Sequence, residues 1–95
     1  MITQVVTIND VAEKLQRMLE AGMPRYKLAN VAKLKAQGMS EDELYGVDKS
    51  GVQHHFSARE INEDVISRIA QGEFRPSPAM CKVLSVTINY FPTKH

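Results

Sequence analysis

The chain has no tryptophan, one cysteine, and only three tyrosines and three phenylalanines in 95 residues. A core built from this composition must rest on aliphatic side chains and methionine, as in small helical proteins. The single thiol, Cys81, rules out an intrachain disulfide and suits a reducing compartment. It falls within an apolar helical pattern and reads as a small buried hydrophobe. No apolar run approaches the ~20 residues of a membrane span, and the first residues lack a basic stretch leading into an apolar one. A cytoplasmic chain without a membrane partner is therefore expected. Charge of one sign is missing as well, since twelve Lys and Arg face eleven Asp and Glu for a net charge of +1. A protein held on nucleic acid by electrostatics alone carries a larger excess, so a nonspecific coat is disfavoured and a sequence-specific regulator stays open.

Catalytic punctuation is also lacking. There is no Gly-rich phosphate loop and no nucleophile motif. Glu41, Asp42 and Glu43 are consecutive and fan out around an expected helix start, where carboxylates favour the positive end of the dipole. His54 and His55 are adjacent, so on a helix they point about 100° apart and do not face one ion together. Cys81 and His95 lie far off with no ligand-like spacing. Neither an enzyme, a cofactor nor a metal site is expected.

What the sequence does hold is helical periodicity broken by glycine. Its length suits one helical domain spanning residues 1–95. Ile2 to Ile8 mixes Ile, Val and Thr and suits a short strand. Thr7 or Asn9 can cap the helix that follows, in which Val11, Leu15, Met18 and Leu19 form a stripe ending at Gly22. A second helix is expected from Pro24 to about Gln37, with Leu28, Val31 and Leu34 facing inward. A third begins at Ser40, three residues before Glu43 as in a capping box. The two corners repeat one chemistry: Gly22-Met23 and Gly38-Met39 each stop a helix and plug the corner with methionine. Asp48-Lys49-Ser50-Gly51 reads as a turn, and Val52 to Phe56 as a short helix or an ordered loop. Ser57, with Glu60 three residues on, caps a helix carrying Ile61, Val65, Ile66 and Ile69.

The stretch from Val65 to Asn89 is the most informative. Val65, Ile66 and Ile69 line one side of a short helix, with Ser67, Arg68 and Gln71 left polar. Gly72 supplies the left-handed conformation that ends it. Ser77 and Pro78 form an N-cap followed by proline at the first helical position. Met80, Val83, Leu84 and Ile88 then recur at helical spacing. Ser85 to Asn89 fits a helix or a strand, and Val86 to Phe91 can close as a strand ended by Pro92.

That order, from Ile66-Ser67-Arg68-Ile69-Ala70-Gln71-Gly72 through Pro76-Ser77-Pro78 to the apolar helix, resembles the C-terminal half of the Cro and lambda-repressor-like helix-turn-helix family. It covers roughly a quarter of the chain. Leu15 to Ala29, and separately Leu34 to Leu44 with Gly38-Met39-Ser40, look like the family's first two helices. Neither joins the later segment at the usual distance, because the family's turn is only ~3–4 residues long. Either the motif holds an insertion, or one half of the likeness is accidental. Gly46 to Ser50 also resembles a turn leading into a recognition helix over Ser50 to Phe56.

Periodicity and the resemblance together lead to the expectation of a mainly α domain, a compact bundle of about five short helices with a helix-turn-helix, with room for short β segments at both termini. The resemblance implies a small prokaryotic or phage-type transcriptional regulator, a repressor of the phage or plasmid kind, with double-stranded DNA as partner. Ser67, Arg68 and Gln71 would face bases or the groove edge. Arg75, Ser77 and Lys82 would hold phosphates, assisted by backbone amides of the helix that Ser77 opens. A homodimer paired through the terminal segments Ile2 to Ile8 and Val86 to Phe91 would match half-site symmetry. Charge alternates along the chain: Arg25, Lys27, Lys33 and Lys35 share one helix, and Glu41, Asp42, Glu43 and Asp48 follow. Glu60, Glu63 and Asp64 sit where phosphates would repel them, which favours the alternative of an all-helical protein-interaction module, an adaptor or inhibitor that binds another protein and no DNA.

Overall fold

The computed structural model describes residues 8–91. Four α-helices are present: α1 (Ile8–Glu20), α2 (Arg25–Ala36), α3 (Glu63–Ala70) and α4 (Pro78–Tyr90). Three short strands, β1 (Tyr45–Val47), β2 (Gln53–His55) and β3 (Arg75–Pro76), form an antiparallel sheet in the order β2-β1-β3. The described residues are mainly α, with four helices where about five were expected, and their sheet lies in the interior of the sequence.

One core joins all four helices. Val11 and Leu15 enter it from α1, Leu28, Ala29, Ala32 and Ala36 from α2, Val65, Ile66 and Ile69 from α3, and Met80, Val83 and Leu84 from α4. The expected inward face of α2 is corrected here. Leu28 is buried, Val31 is half-buried, and Leu34 is 62% exposed. The three alanines form the packed side instead, because small side chains let the neighbouring helices approach closely. Both methionine corners are present: Met23 N–H donates to Met18 O and Met39 N–H to Ala36 O, and both side chains pack on the core.

The helix expected from Ser40 does not form. Ser40 heads a single turn, its Oγ accepting from Asp42 N–H at 3.1 Å, and the chain then enters β1. Two ladders outcompete the local helix signal: β1 pairs with β2 (Tyr45 opposite His55) and with β3 (Val47 opposite Arg75). Gly46, at the centre of β1, sits against Phe74. A Cβ there would lie 3.0 Å from Phe74 Cβ, so only glycine fits without a shift. Val52 to Phe56, expected as a helix or loop, contributes β2. Likewise, no recognition helix exists over Ser50 to Phe56.

The reciprocal pair of Ser57 and Glu60 is present, with Ser57 N–H donating to the Glu60 carboxylate at 2.7 Å. It closes only a one-turn 3-10 helix, Ala58–Glu60. The following helix has its own cap: Asn62 Oδ1 accepts from Val65 N–H at 3.0 Å, so α3 starts five residues later than the Ser57 signal suggested. At its other end Gly72 has φ +82, and Glu73 N–H reaches back to Arg68 O at 2.8 Å, a Schellman closure.

The helix–strand competition at Ser85 to Asn89 ends as helix. Thr87 is fully buried and its hydroxyl donates to Val83 O at 2.8 Å, so a β-branched polar residue is satisfied inside α4. The strand expected at Val86 to Phe91 is therefore absent, and a dimer built by pairing it with Ile2 to Ile8 has lost one of its two strands. Of that partner segment, Ile8 lies in α1 and residues 2–7 lie outside the described residues, as does Thr7. Asn9 is inside α1 rather than at its cap. Among the described residues no helix is long and apolar enough to cross a membrane.

Candidate nucleic-acid interface

α3 is only two turns long, and its role follows from how it is seated. Val65, Ile66, Ile69 and Ala70 are buried against α1 and α2. The opposite face holds Glu63, Asp64, Arg68 and Gln71, all exposed, with Ser67 half-buried beside them. Four of these side chains, Asp64, Ser67, Arg68 and Gln71, are already engaged in pairs. Gln71 Nε2 donates to Ser67 Oγ at 3.2 Å. Arg68 Nε donates to Asp64 Oδ2 at 2.8 Å, while another guanidinium nitrogen lies 3.6 Å from Glu73 Oε1. The guanidinium also covers the Phe74 ring, 5.6 Å from its centroid. Two carboxylates and a ring thus hold Arg68 in one pose, with the side chain still 45% exposed.

Arg75 lies in β3 and Lys82 in α4. Both are exposed, and neither makes an ion pair among the described residues. Ser77 is different. It is 3% exposed, its hydroxyl donates to Glu43 O at 2.6 Å and accepts from Met80 N–H at 3.1 Å, and its own N–H donates to Tyr45 O at 2.8 Å. That side chain is spent on the fold and leaves the set of phosphate ligands. Most of the opening amides of α4 are engaged as well: Pro78 has none, Met80 N–H bonds Ser77 Oγ, and Cys81 N–H bonds Ser77 O. Desolvation raises the Cys81 thiol pKa, in keeping with a structural role.

The β1–β2 hairpin brings groups beside α3 that the sequence reading left out. Its turn is built by Asp48, whose Oδ1 accepts from Ser50 N–H at 2.8 Å and Val52 N–H at 3.0 Å. Oδ2 meets His54 Nε2 at 2.7 Å. The His54 hydrogen bond first, then the backbone donors, hold the Asp48 carboxyl below its ordinary pKa. The His54 ring packs on Phe74 with centroids 5.0 Å apart. An open groove of about 720 Å³ results, with Asp48, Lys49 and His54 on the hairpin side and Asp64, Arg68 and Glu73 opposite. Lys49 falls in the turn that Asp48-Lys49-Ser50-Gly51 announces, whereas Gln53-His54-His55 carries no apolar alternation that would have placed His54 beside α3.

His55 points elsewhere, its Nδ1 2.8 Å from Glu41 O. Successive strand residues face opposite sides, so the two histidines separate even more than on a helix. Among the described residues, no three His, Cys, Asp or Glu side chains cluster as a metal set. In comparisons with known proteins, no family model, no curated protein and no solved structure matches this chain.

Proposed function

We propose that the chain is a sequence-specific DNA-binding transcriptional regulator of small prokaryotic or phage type, reading DNA with the outer face of α3. The observation that carries this reading is the seating of α3, apolar side on α1 and α2 and polar side open. Ser67, Arg68 and Gln71 are the base-facing set, and Arg75 and Lys82 the phosphate-facing pair. Because Asp64 and Glu73 hold Arg68, docking on DNA requires the guanidinium to exchange at least one carboxylate for a base edge. A homodimer belongs to this reading, since one domain of this size contacts few base pairs alone.

A gel shift against genomic fragments at two salt concentrations tests it. A specific, salt-sensitive band is expected. Arg68→Ala should cost ~1–3 kcal/mol of specific binding with folding intact, and Lys82→Ala should weaken all sequences alike and flatten the salt dependence. Unchanged binding in both variants overturns the assignment of this face, and no band at low salt overturns the function.

One observation favours a protein-interaction module instead. Glu63, Asp64 and Glu73 outnumber Arg68 on and beside the open face, and carboxylates there repel phosphates. The two readings diverge on Glu63→Gln, which should tighten DNA binding for a regulator and leave heparin or duplex retention absent for an adaptor.

A further inference from the structure

On another part of the molecule, the α1–α2 corner and the end of α4 enclose a recess of about 820 Å³. Its lining includes Met18 and Met23 from the corner and Ile88 and Phe91 from α4, apolar side chains that are only partly buried by the core they pack on. Lys14 and Arg17 from α1 and Lys27 from α2 line it too, and no acid does so among the described residues. Arg17 keeps a loose partner in Glu13 at 3.6 Å, both side chains largely exposed, an arrangement worth little in water. The carbonyl ends of the two helices do not counter this charge strongly. Arg17 O, Met18 O and Leu19 O already accept from Ala21, Met23 and Gly22, and Ile88 O accepts from Phe91. An apolar lining with cations and no anions is complementary to one ligand chemistry.

We propose that this recess binds a free single-chain amphiphilic carboxylate. The hydrocarbon lies on Met18, Met23, Ile88 and Phe91, and the carboxylate sits among Lys14, Arg17 and Lys27. The volume falls in the ~300–1,000 Å³ range of small-molecule sites, which are apolar clefts with a few placed polar groups. Thioether side chains adapt to a flexible chain at little cost. A partner helix would need a groove running along the molecule, whereas this lining comes from residues 14–27 and 88–91 at one corner. None of the lining residues belongs to α3 or the hairpin, so the inference stands independently of the DNA reading.

The test is titration of the full chain with dodecanoate below its micelle concentration, followed through isotope-labelled methionine methyl signals. Saturable shifts of Met18 and Met23 are expected, with fully buried Met80 unmoved. Dodecyltrimethylammonium should leave Met18 and Met23 where they were. The double variant R17E/K27E changes only exposed side chains and should lower dodecanoate affinity about tenfold with an unchanged melting curve. Equal response to the cationic amphiphile, or shifts spread over Met80, would overturn the proposal. So would the same methyl shifts produced by anionic vesicles or an acidic amphipathic peptide but not by free dodecanoate, which would assign the recess to a membrane surface or a protein.

Discussion

α4 and the β1–β2 hairpin are held in the same molecule by opposite means. α4 buries Met80, Cys81, Val83, Leu84 and Thr87, and its first half reads as a helix from its own residues. The hairpin exposes both Gln53 and His55, leaves Val52 53% exposed, and takes its shape from one carboxylate, Asp48, and one ring, Phe74. The helical frame is stabilised by apolar area removed from water, and the hairpin by hydrogen bonds whose net worth is small individually. Perturbations of the two regions should therefore differ in size and in reach.

The largest effect is expected in the frame. Ile66→Ala removes a fully buried side chain where α3 meets α1 and α2, and should lower stability by ~2–5 kcal/mol in denaturant unfolding. A loss below that range would mean the core around α3 collapses to fill the space. Next is the seam between the regions. Gly46→Val places atoms against Phe74 Cβ and Cγ, 3.0 and 3.3 Å from the new Cβ, and should cost ~1–3 kcal/mol. Loss of the His54–Phe74 packing, read from ring-current shifts, should accompany it, and an unshifted His54 ring would sever the link between sheet and Phe74.

Smaller again is Gly72→Val. A Cβ there meets no atom within 4 Å, so the cost is conformational alone, ~1–2 kcal/mol for a side chain forced to φ +82. A melting curve equal to the parent's would show that α3 ends by another route. The smallest expected effect belongs to Asp48. Its folded pKa is lowered, so its contribution is complete above the unfolded value and is lost as pH falls through the folded one, below the ordinary value of 3.8. Acidification should release the Ser50 and Val52 amides to hydrogen exchange before the amides of α4. Asp48→Asn should remove that step, and coincident release of both regions would erase the distinction drawn between them.

Local chemistry explains which parts of the fold were legible. α1, α2 and the first half of α4 carry apolar periodicity between stop signals, and Gly22, Gly38 and Ser77-Pro78 mark their ends within a few residues. The strands carry no such signal, because they are three residues or shorter, and β1 takes its second neighbour, β3, from beyond α3. The Ser40-Glu43 and Ser57-Glu60 spacings look alike in sequence. Only the second closes as a reciprocal pair, and it starts a 3-10 turn rather than the helix. Leu34 was expected inside because leucine outweighs alanine in any apolar pattern, yet packing selected the alanines.

The candidate site was legible in the same uneven way. Arg68 and Asp64 are four apart on a helix, a pairing visible in sequence. Glu73 joins them only because the Gly72 turn swings it back. Ser77 was legible as a cap and assigned to phosphates by the family resemblance, whereas its partner Glu43 lies 34 residues away, where no local pattern reaches.

That bond also bears on how separable the hairpin is. Residues 37–62 stand between α2 and α3 like a cassette, and its removal would ordinarily be expected to leave a shorter helical domain. Yet the acceptors for Ser77, its hydroxyl on Glu43 O and its amide on Tyr45 O, both lie within that cassette. Excision would strand a donor amide and a hydroxyl at a position that water barely reaches. The hairpin is thus a structural member rather than an accessory, and a shortened chain would have to replace Ser77 along with the loop.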